Sequence, residues 1–261
     1  MIVRECLPDS WTDPVERQAW AHAMAAYPAE SLGVVWPDAS YEALTNNAAD
    51  PQQHAGLAAA DLQRLAAAPG SILVHSHPDG PECPSAADMR TQLQWGMPFV
   101  VLPVRAGGAL GKAFAWGHGT PMPLLGRPFR HGITDCYALV RDWFGAEWGL
   151  ALDEVPRDWE WWHQRPSPDL YRTGYAAQGF SEIALTEAFT PGDVILYALR
   201  SAVPQHAAIV LDAQRILHHP AGARAYDPTR LSCIDLRATW QRFALMAVRP
   251  PSPRPGLFRA T

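Results

Sequence analysis

The chain lacks the features that would place it across a membrane, in an oxidising compartment or on nucleic acid. No apolar run in its 261 residues approaches the roughly 20 needed to span a bilayer. The opening MIVRECLPDSW has no continuous apolar segment of the kind a secretory signal carries. The four cysteines, Cys6, Cys83, Cys136 and Cys233, are scattered without a CxxC pair, so reduced thiols are expected rather than a disulfide framework. The expectation is a protein made in a cytosol, which stays there or leaves by a route needing no signal. Charged residues are only 18% of the chain and the net charge is −5, which excludes a phosphate-tracking nucleic-acid binder. No internal repeat is visible.

Proline and tryptophan are plentiful, which implies many turns and much aromatic surface. The length suits two modest domains or one large one. Thr12-Asp13-Pro14 with Glu16 starts a helix expected to run to about Tyr27, where Pro28 stops it. Strands are expected over Leu32 to Trp36, Tyr41 to Leu44, Ser71 to Ser76, Phe99 to Val104 and Ala109 to Trp116. Helical stretches are expected from Asp50-Pro51 to near Pro69-Gly70 and from Ser85 to about Trp95. Gly117 to Arg127 hold three glycines and two prolines without periodicity, so a linker is placed at 117–125. Beyond it, Cys136, Leu139, Val140, Trp143 and Phe144 fall at helical spacing. Asp153 to Phe180 reads as a long loop with short helices. Pro191-Gly192-Asp193 turns into the strand Val194 to Tyr197. His206 to Leu211 and Arg215 to His218 form a strand–turn–strand, and Phe243 to Val248 a last strand. The expected layout is α+β in two domains, 1–116 and 126–249, with an extended proline-rich tail over 250–261.

Two constellations carry chemistry. Residues two apart in a strand point the same way, so His75 and His77 can present both imidazoles to one point. Asp88, one turn into the next helix, can add a carboxylate oxygen. Two histidines and a carboxylate with an open fourth position suit catalytic zinc, which lowers the pKa of a bound water. Glu30 is the candidate to take that water's proton. Ser85-Ala86-Ala87-Asp88 is also a helix capping box that needs no metal, and Cys83 stands inside the same loop.

In the second half, Cys136 sits in the first turn of its helix behind Thr134 and Asp135, where free N–H groups favour a thiolate. If Leu211 and Arg215 pair across their turn, Ala208 faces His218, and His206 lies on the same sheet face diagonally from it. A slip of one residue would substitute His219. For an arbitrary cysteine on such a stripe, a buried core thiol is the better reading.

His75-x-His77, then Ser85-x-x-Asp88 after an apolar strand, resembles the JAMM (JAB/MPN) zinc isopeptidase family over roughly residues 1 to 115. The resemblance implies an α/β metallopeptidase domain with zinc held by His75, His77 and Asp88, Glu30 as general acid/base and Ser85 stabilising an oxyanion. Glu5, before the first helix, fits the glutamate's place less well. Asp135-Cys136-x-x-Leu139-Val140, Pro191-Gly192-Asp193, His206-Ala207-Ala208-Ile209 and a second histidine after the turn resemble the NlpC-type cysteine peptidases over about residues 125 to 248. That implies a papain-like α+β domain acting on peptidoglycan stem peptides, with Cys136 as nucleophile, His206 as base and His218 orienting it. The two domains in this order resemble tail-tip proteins of long-tailed phages. The resemblance implies tail tip and hub proteins as partners, a place in the virion tail tip, and host cytoplasm during assembly.

Overall fold

The computed structural model describes residues 7–119 and 122–251. The chain divides into two compact units, Met1–Thr120 and Pro121–Thr261. The residues of the expected tail from 252 onward, and the alternative glutamate Glu5, lie outside the described residues. No helix among the described residues is long and apolar enough to cross a membrane.

In the first unit, helix α1 (Asp13–Ala26) has proline in its first turn with Asp13 and Glu16, and buries Val15, Ala19 and Ala23. That i, i+4, i+8 stripe is what a helix lying on a sheet must present. The sheet runs β2 (Tyr41–Leu44), β1 (Leu32–Val35), β3 (Ile72–Pro78), β4 (Phe99–Arg105) and β5 (Gly108–Ala109). Strand β6 (Phe114–Trp116) pairs with the other end of β4. The β3–β4 pair is parallel, joined through α3 (Ala86–Trp95). Ile72 and Val74 pack with α1 in one core cluster. Alternation therefore sends Leu73, His75 and His77 to the opposite face.

Two expectations are corrected here. The helix from Asp50 is only α2 (Ala59–Ala66). Residues 46–56 fold instead on side-chain bonds: Asn46 Oδ1 accepts from Ala48 and Gly56 N–H, both at 3.0 Å, and Asp50 Oδ1 from Gln52 N–H at 3.2 Å. Local Asx bonding outcompetes helix there. The single strand expected over Ala109 to Trp116 is two pieces, because β5 and β6 share one edge of β4, pairing with Val104–Arg105 and Phe99–Val101 respectively.

The second unit has one antiparallel six-stranded sheet: β13 (Cys233–Leu236), β11 (Arg215–His218), β10 (His206–Val210), β9 (Val194–Tyr197), β14 (Ala244–Arg249), β8 (Ser181–Ile183). A separate two-stranded ribbon pairs β7 (Pro128–Arg130) with β12 (Tyr226–Leu231). Helix α4 (Cys136–Trp143) continues as a π turn through Trp148 and ends at Gly149 in the left-handed region. Its Leu139, Val140 and Trp143 pack against Ala207, Ile209, Leu217, Val194 and Leu196. The opposite face buries Tyr197, Ala208, Val210 and Ile216, with Trp240 packed beside them. Each valine, leucine or isoleucine side chain fully withdrawn from water there contributes about 1.5–3 kcal/mol. Strands β7, β8, β12 and β13 were not legible in the hydrophobic pattern; β12 and β13 are largely exposed, and Pro228 interrupts β12.

Candidate functional site

In the first unit the metal-binding candidates converge. His75 Nε2 lies 3.2 Å from His77 Nε2 and 3.3 Å from Asp88 Oδ1, and His77 Nε2 lies 3.2 Å from Asp88 Oδ2. These ligand atoms form the cluster a metal would need. Ser85 caps α3: its Oγ accepts from Asp88 N–H at 3.0 Å, and its own N–H and O–H donate to Asp88 Oδ2 at 2.8 and 2.7 Å. The capping box and the ligand carboxylate are thus one structure. His77 Nδ1 faces the Pro81 carbonyl at 3.1 Å. A carbonyl only accepts, so Nδ1 carries the proton and the Nε2 lone pair points inward. In neutral His77 that lone pair meets a carboxylate oxygen at 3.2 Å, an arrangement that a cation satisfies. The two imidazole nitrogens, 3.2 Å apart, also match one edge of a ligand tetrahedron with bonds of roughly 2.0–2.1 Å, as zinc makes, and each faces one oxygen of the Asp88 carboxylate. The donor set therefore fits zinc.

Glu30 is buried just ahead of β1. Its backbone is clamped from both sides, its N–H by the Pro51 carbonyl at 2.6 Å and its carbonyl by Asn46 Nδ2 at 3.0 Å. Burial pushes its carboxyl up, against a downward pull from His75 and His77. Asp88 is held well below the usual carboxylate range: burial opposes this, but His75 and His77 outweigh it. Cys83 is buried in the same loop, and the ligand cluster does not include its sulfur.

In the second unit, Asp135 N-caps α4 by accepting from Ala138 N–H at 2.9 Å, and Cys136 is the first helical residue. The thiol donates toward the Gln205 carbonyl at 3.9 Å, and its sulfur lies 3.4 Å from the Tyr171 hydroxyl. Gln205 immediately precedes His206. His206 Nε2 lies 3.0 Å from His218 Nδ1, with Ala208 and His218 in register across the hairpin. His219 turns to the other side, edge-on to Phe129, with Nε2 3.1 Å from the Arg230 carbonyl. Among the described residues no hydrogen bond joins the thiol to a His206 nitrogen. Cys136, Tyr171, Gln205, His206 and Trp240 line one cavity of about 380 Å³, together with aromatic side chains from the 159–175 loop.

The expectation of a thiolate at the helix N-terminus is corrected. Burial pushes the Cys136 thiol up to about 11, and the Asp135 carboxylate adds to the rise, outweighing the Tyr171 hydroxyl and the Ala207 N–H. Burial, then His218 and His219, hold His206 well below its ordinary value. Both shifts favour a neutral thiol and a neutral imidazole over an ion pair.

Three contributors escaped the sequence reading. Tyr171 comes from α5 (Leu170–Gly174), 35 residues from the cysteine. Arg157 binds Asp135 twice, Nε to Oδ2 and Nη2 to Oδ1, each at 2.9 Å. Asn46 fixes Glu30. None carries a local motif; only the tryptophan-rich loop hinted at the first two.

The Prok-JAB family model, prokaryotic homologs of the JAB domain, matches residues 12–117, and the NlpC/P60 family model matches residues 111–242. Tail tip assembly protein K from Escherichia phage lambda is 38% identical over 147 residues, 56% of this chain and 68% of that protein. Tail tip assembly protein K from Escherichia phage N15 is 32% identical over 221 residues, 77% of this chain and 82% of that protein. The chain therefore belongs to the NlpC/P60 family and, with a JAB-type domain ahead of the cysteine domain, to the homologues of phage tail tip assembly protein K.

Proposed function

We propose that the protein is a phage tail-tip component that cleaves peptidoglycan stem peptides through Cys136. The observation that carries this reading is the shared cavity wall: a thiol at the start of α4 lies against the backbone beside His206, whose Nε2 meets His218 Nδ1 at 3.0 Å. His206 Nδ1, the nitrogen not committed to His218, takes the thiol proton as the sulfur attacks the peptide carbonyl, and later returns it to the leaving amine. Because both groups start neutral, His206 acts as a general base rather than as half of a preformed ion pair. His218 orients the ring. The thiol must leave the Gln205 carbonyl to engage His206, a tightening common between resting and substrate-bound sites. A water then attacks the resulting Cys136 thioester, giving its proton to His206, and releases the carboxylic acid and the free thiol.

The first unit is proposed as a second hydrolytic centre. His75, His77 and Asp88 would hold zinc, which supplies Lewis acidity and an activated water when bound. Glu30 would move the proton, and Ser85, which holds Asp88, would stabilise an oxyanion. Other tail-tip and hub proteins are the proposed partners, the virion tail tip the proposed location, and the host cytoplasm the place of assembly.

Incubation of purified cell wall with wild-type protein is expected to release stem-peptide fragments, and Cys136→Ala to release none. Fragment release retained by that variant would sink the nucleophile assignment. A structural reading, in which both centres are relics, makes a different prediction: Cys136→Ala phage would keep full infectivity.

A further inference from the structure

The imidazole pair contains an ambiguity that its own hydrogen bond leaves open. His206 Nε2 and His218 Nδ1 are 3.0 Å apart. The bond forms equally well with the proton on either nitrogen. Only one arrangement leaves a lone pair on His206 Nδ1; in the other, that atom carries hydrogen and cannot act as a base.

The sheet supplies a group that chooses. Strands β10, β11 and β13 are neighbours, with Ala208 opposite His218 and Ile216 opposite Asp235. Directly opposed residues share a face and so do residues two apart, so His206, His218 and Asp235 form a diagonal row on one face. His218 is 1% exposed and its Nε2 has no hydrogen-bond partner. That nitrogen faces Asp235 Oδ2 at 3.7 Å. Asp235 does not swing freely: Trp240 Nε1 donates to the same Oδ2 at 2.9 Å, and the Trp240 ring meets His218 at 4.5 Å and 83°. Trp240 also lies 5.4 Å from the His206 ring, so one indole orders all three side chains.

We propose that Asp235, held by Trp240, is a positioning residue that fixes the tautomers of His218 and His206. A proton on His218 Nε2 points at the carboxylate, whereas a lone pair there would be repelled by it. With Nε2 protonated, His218 Nδ1 accepts from His206 Nε2–H, and the His206 lone pair is left on Nδ1. Asp235 thus acts across three strands on an atom it does not touch. The inference rests on the cysteine-peptidase reading for its consequence, but not for its measurement.

The test is the nitrogen-15 NMR spectrum of the full chain labelled in histidine, recorded at neutral pH. The wild type is expected to show hydrogen on Nε2 of both His206 and His218. Asp235→Ala is expected to shift both rings toward the Nδ1–H form. Asp235 has 41% of its side chain exposed, so this change opens no core. Trp240→Phe, which keeps most of the packing, is expected to move the spectrum the same way by less. A wild-type His206 protonated on Nδ1, or an Asp235→Ala spectrum unchanged at both rings, would overturn the proposal. With a stem-peptide substrate, Asp235→Ala is expected to lower kcat about twofold to tenfold with KM unchanged, as the fraction of His206 that keeps its Nδ1 lone pair falls. Lost turnover with unchanged tautomers would also overturn it. Should the chain cleave no peptide at all, the spectra still decide the point.

Discussion

Arg157→Met is expected to destabilise the second unit strongly. Asp135 is 3% exposed and Arg157 5% exposed. The carboxylate accepts four hydrogen bonds: from Gly132 N–H at 2.8 Å, Ala138 N–H at 2.9 Å, and Arg157 Nε and Nη2 at 2.9 Å each. The variant removes two of the four and the counter-charge, leaving a buried anion at the start of α4. Breaking a buried pair from one side costs about 3–5 kcal/mol. For a unit of this size that corresponds to a fall in melting temperature of about 10–15 °C. Differential scanning calorimetry at pH 7 measures it. The dependence on pH follows from Asp135, which Arg157 and then His131 hold below its ordinary value although burial pulls the other way. A depressed carboxyl contributes stability that is present above its unfolded value of 3.8 and is lost as pH falls through its folded value. The gap between wild type and variant is therefore full at pH 7 and narrows below about pH 4. Adding Asp135→Asn to Arg157→Met removes the stranded charge and is expected to restore part of the loss. A single variant melting within about 3 °C of wild type at pH 7 would refute the reasoning, since it would mean the carboxylate does not depend on its partner.

Three further outcomes follow from the same structure. His131 and His218 are each pushed from 6.5 to about 4, chiefly by burial, so the stability they contribute is present above pH 6.5 and lost as pH falls toward 4. At about 1.4 kcal/mol per tenfold this is about 3 kcal/mol each, and His131→Gln should flatten the acid limb of a urea-denaturation series; an unchanged limb would contradict the assignment. With its thiol at about 11, Cys136 should be alkylated slowly at pH 7 and faster up to that value, and a rate already flat from pH 7 would mean a preformed thiolate. Replacing His75 and His77 together with alanine should abolish bound zinc in elemental analysis, whereas unchanged zinc would place the metal elsewhere.

Much of the site was legible where it depends on local geometry. The alternation of a strand puts His75 and His77 on one side, and the short turn between Leu211 and Arg215 sets the register that selects His218 over His219. The capping-box spacing of Ser85 and Asp88 reads directly, because a helix start is a local event. Asn46, Arg157, Tyr171 and Asp235 were not legible as contributors, since each acts on a residue brought near only by the fold. The protonation of Cys136 was misread for the same reason. A helix N-terminus is visible in a sequence, but the burial of the sulfur against Tyr171 and Gln205 is a property of the packed loop. The stretch after Asp50 was misread as helix because its alanines and glutamines mask the Asx bonds that Asn46 and Asp50 make.

The claim at the centre is that stem-peptide cleavage belongs to the cysteine centre and not to the histidine cluster of the first unit. Hydrolysis of a synthetic stem peptide, followed by mass spectrometry for wild type, chelator-treated wild type and Cys136→Ala, separates the two. Cleavage is expected to survive chelation and to vanish in Cys136→Ala. Cleavage that survives in Cys136→Ala and is lost on chelation would contradict the account and move the chemistry to His75, His77 and Asp88.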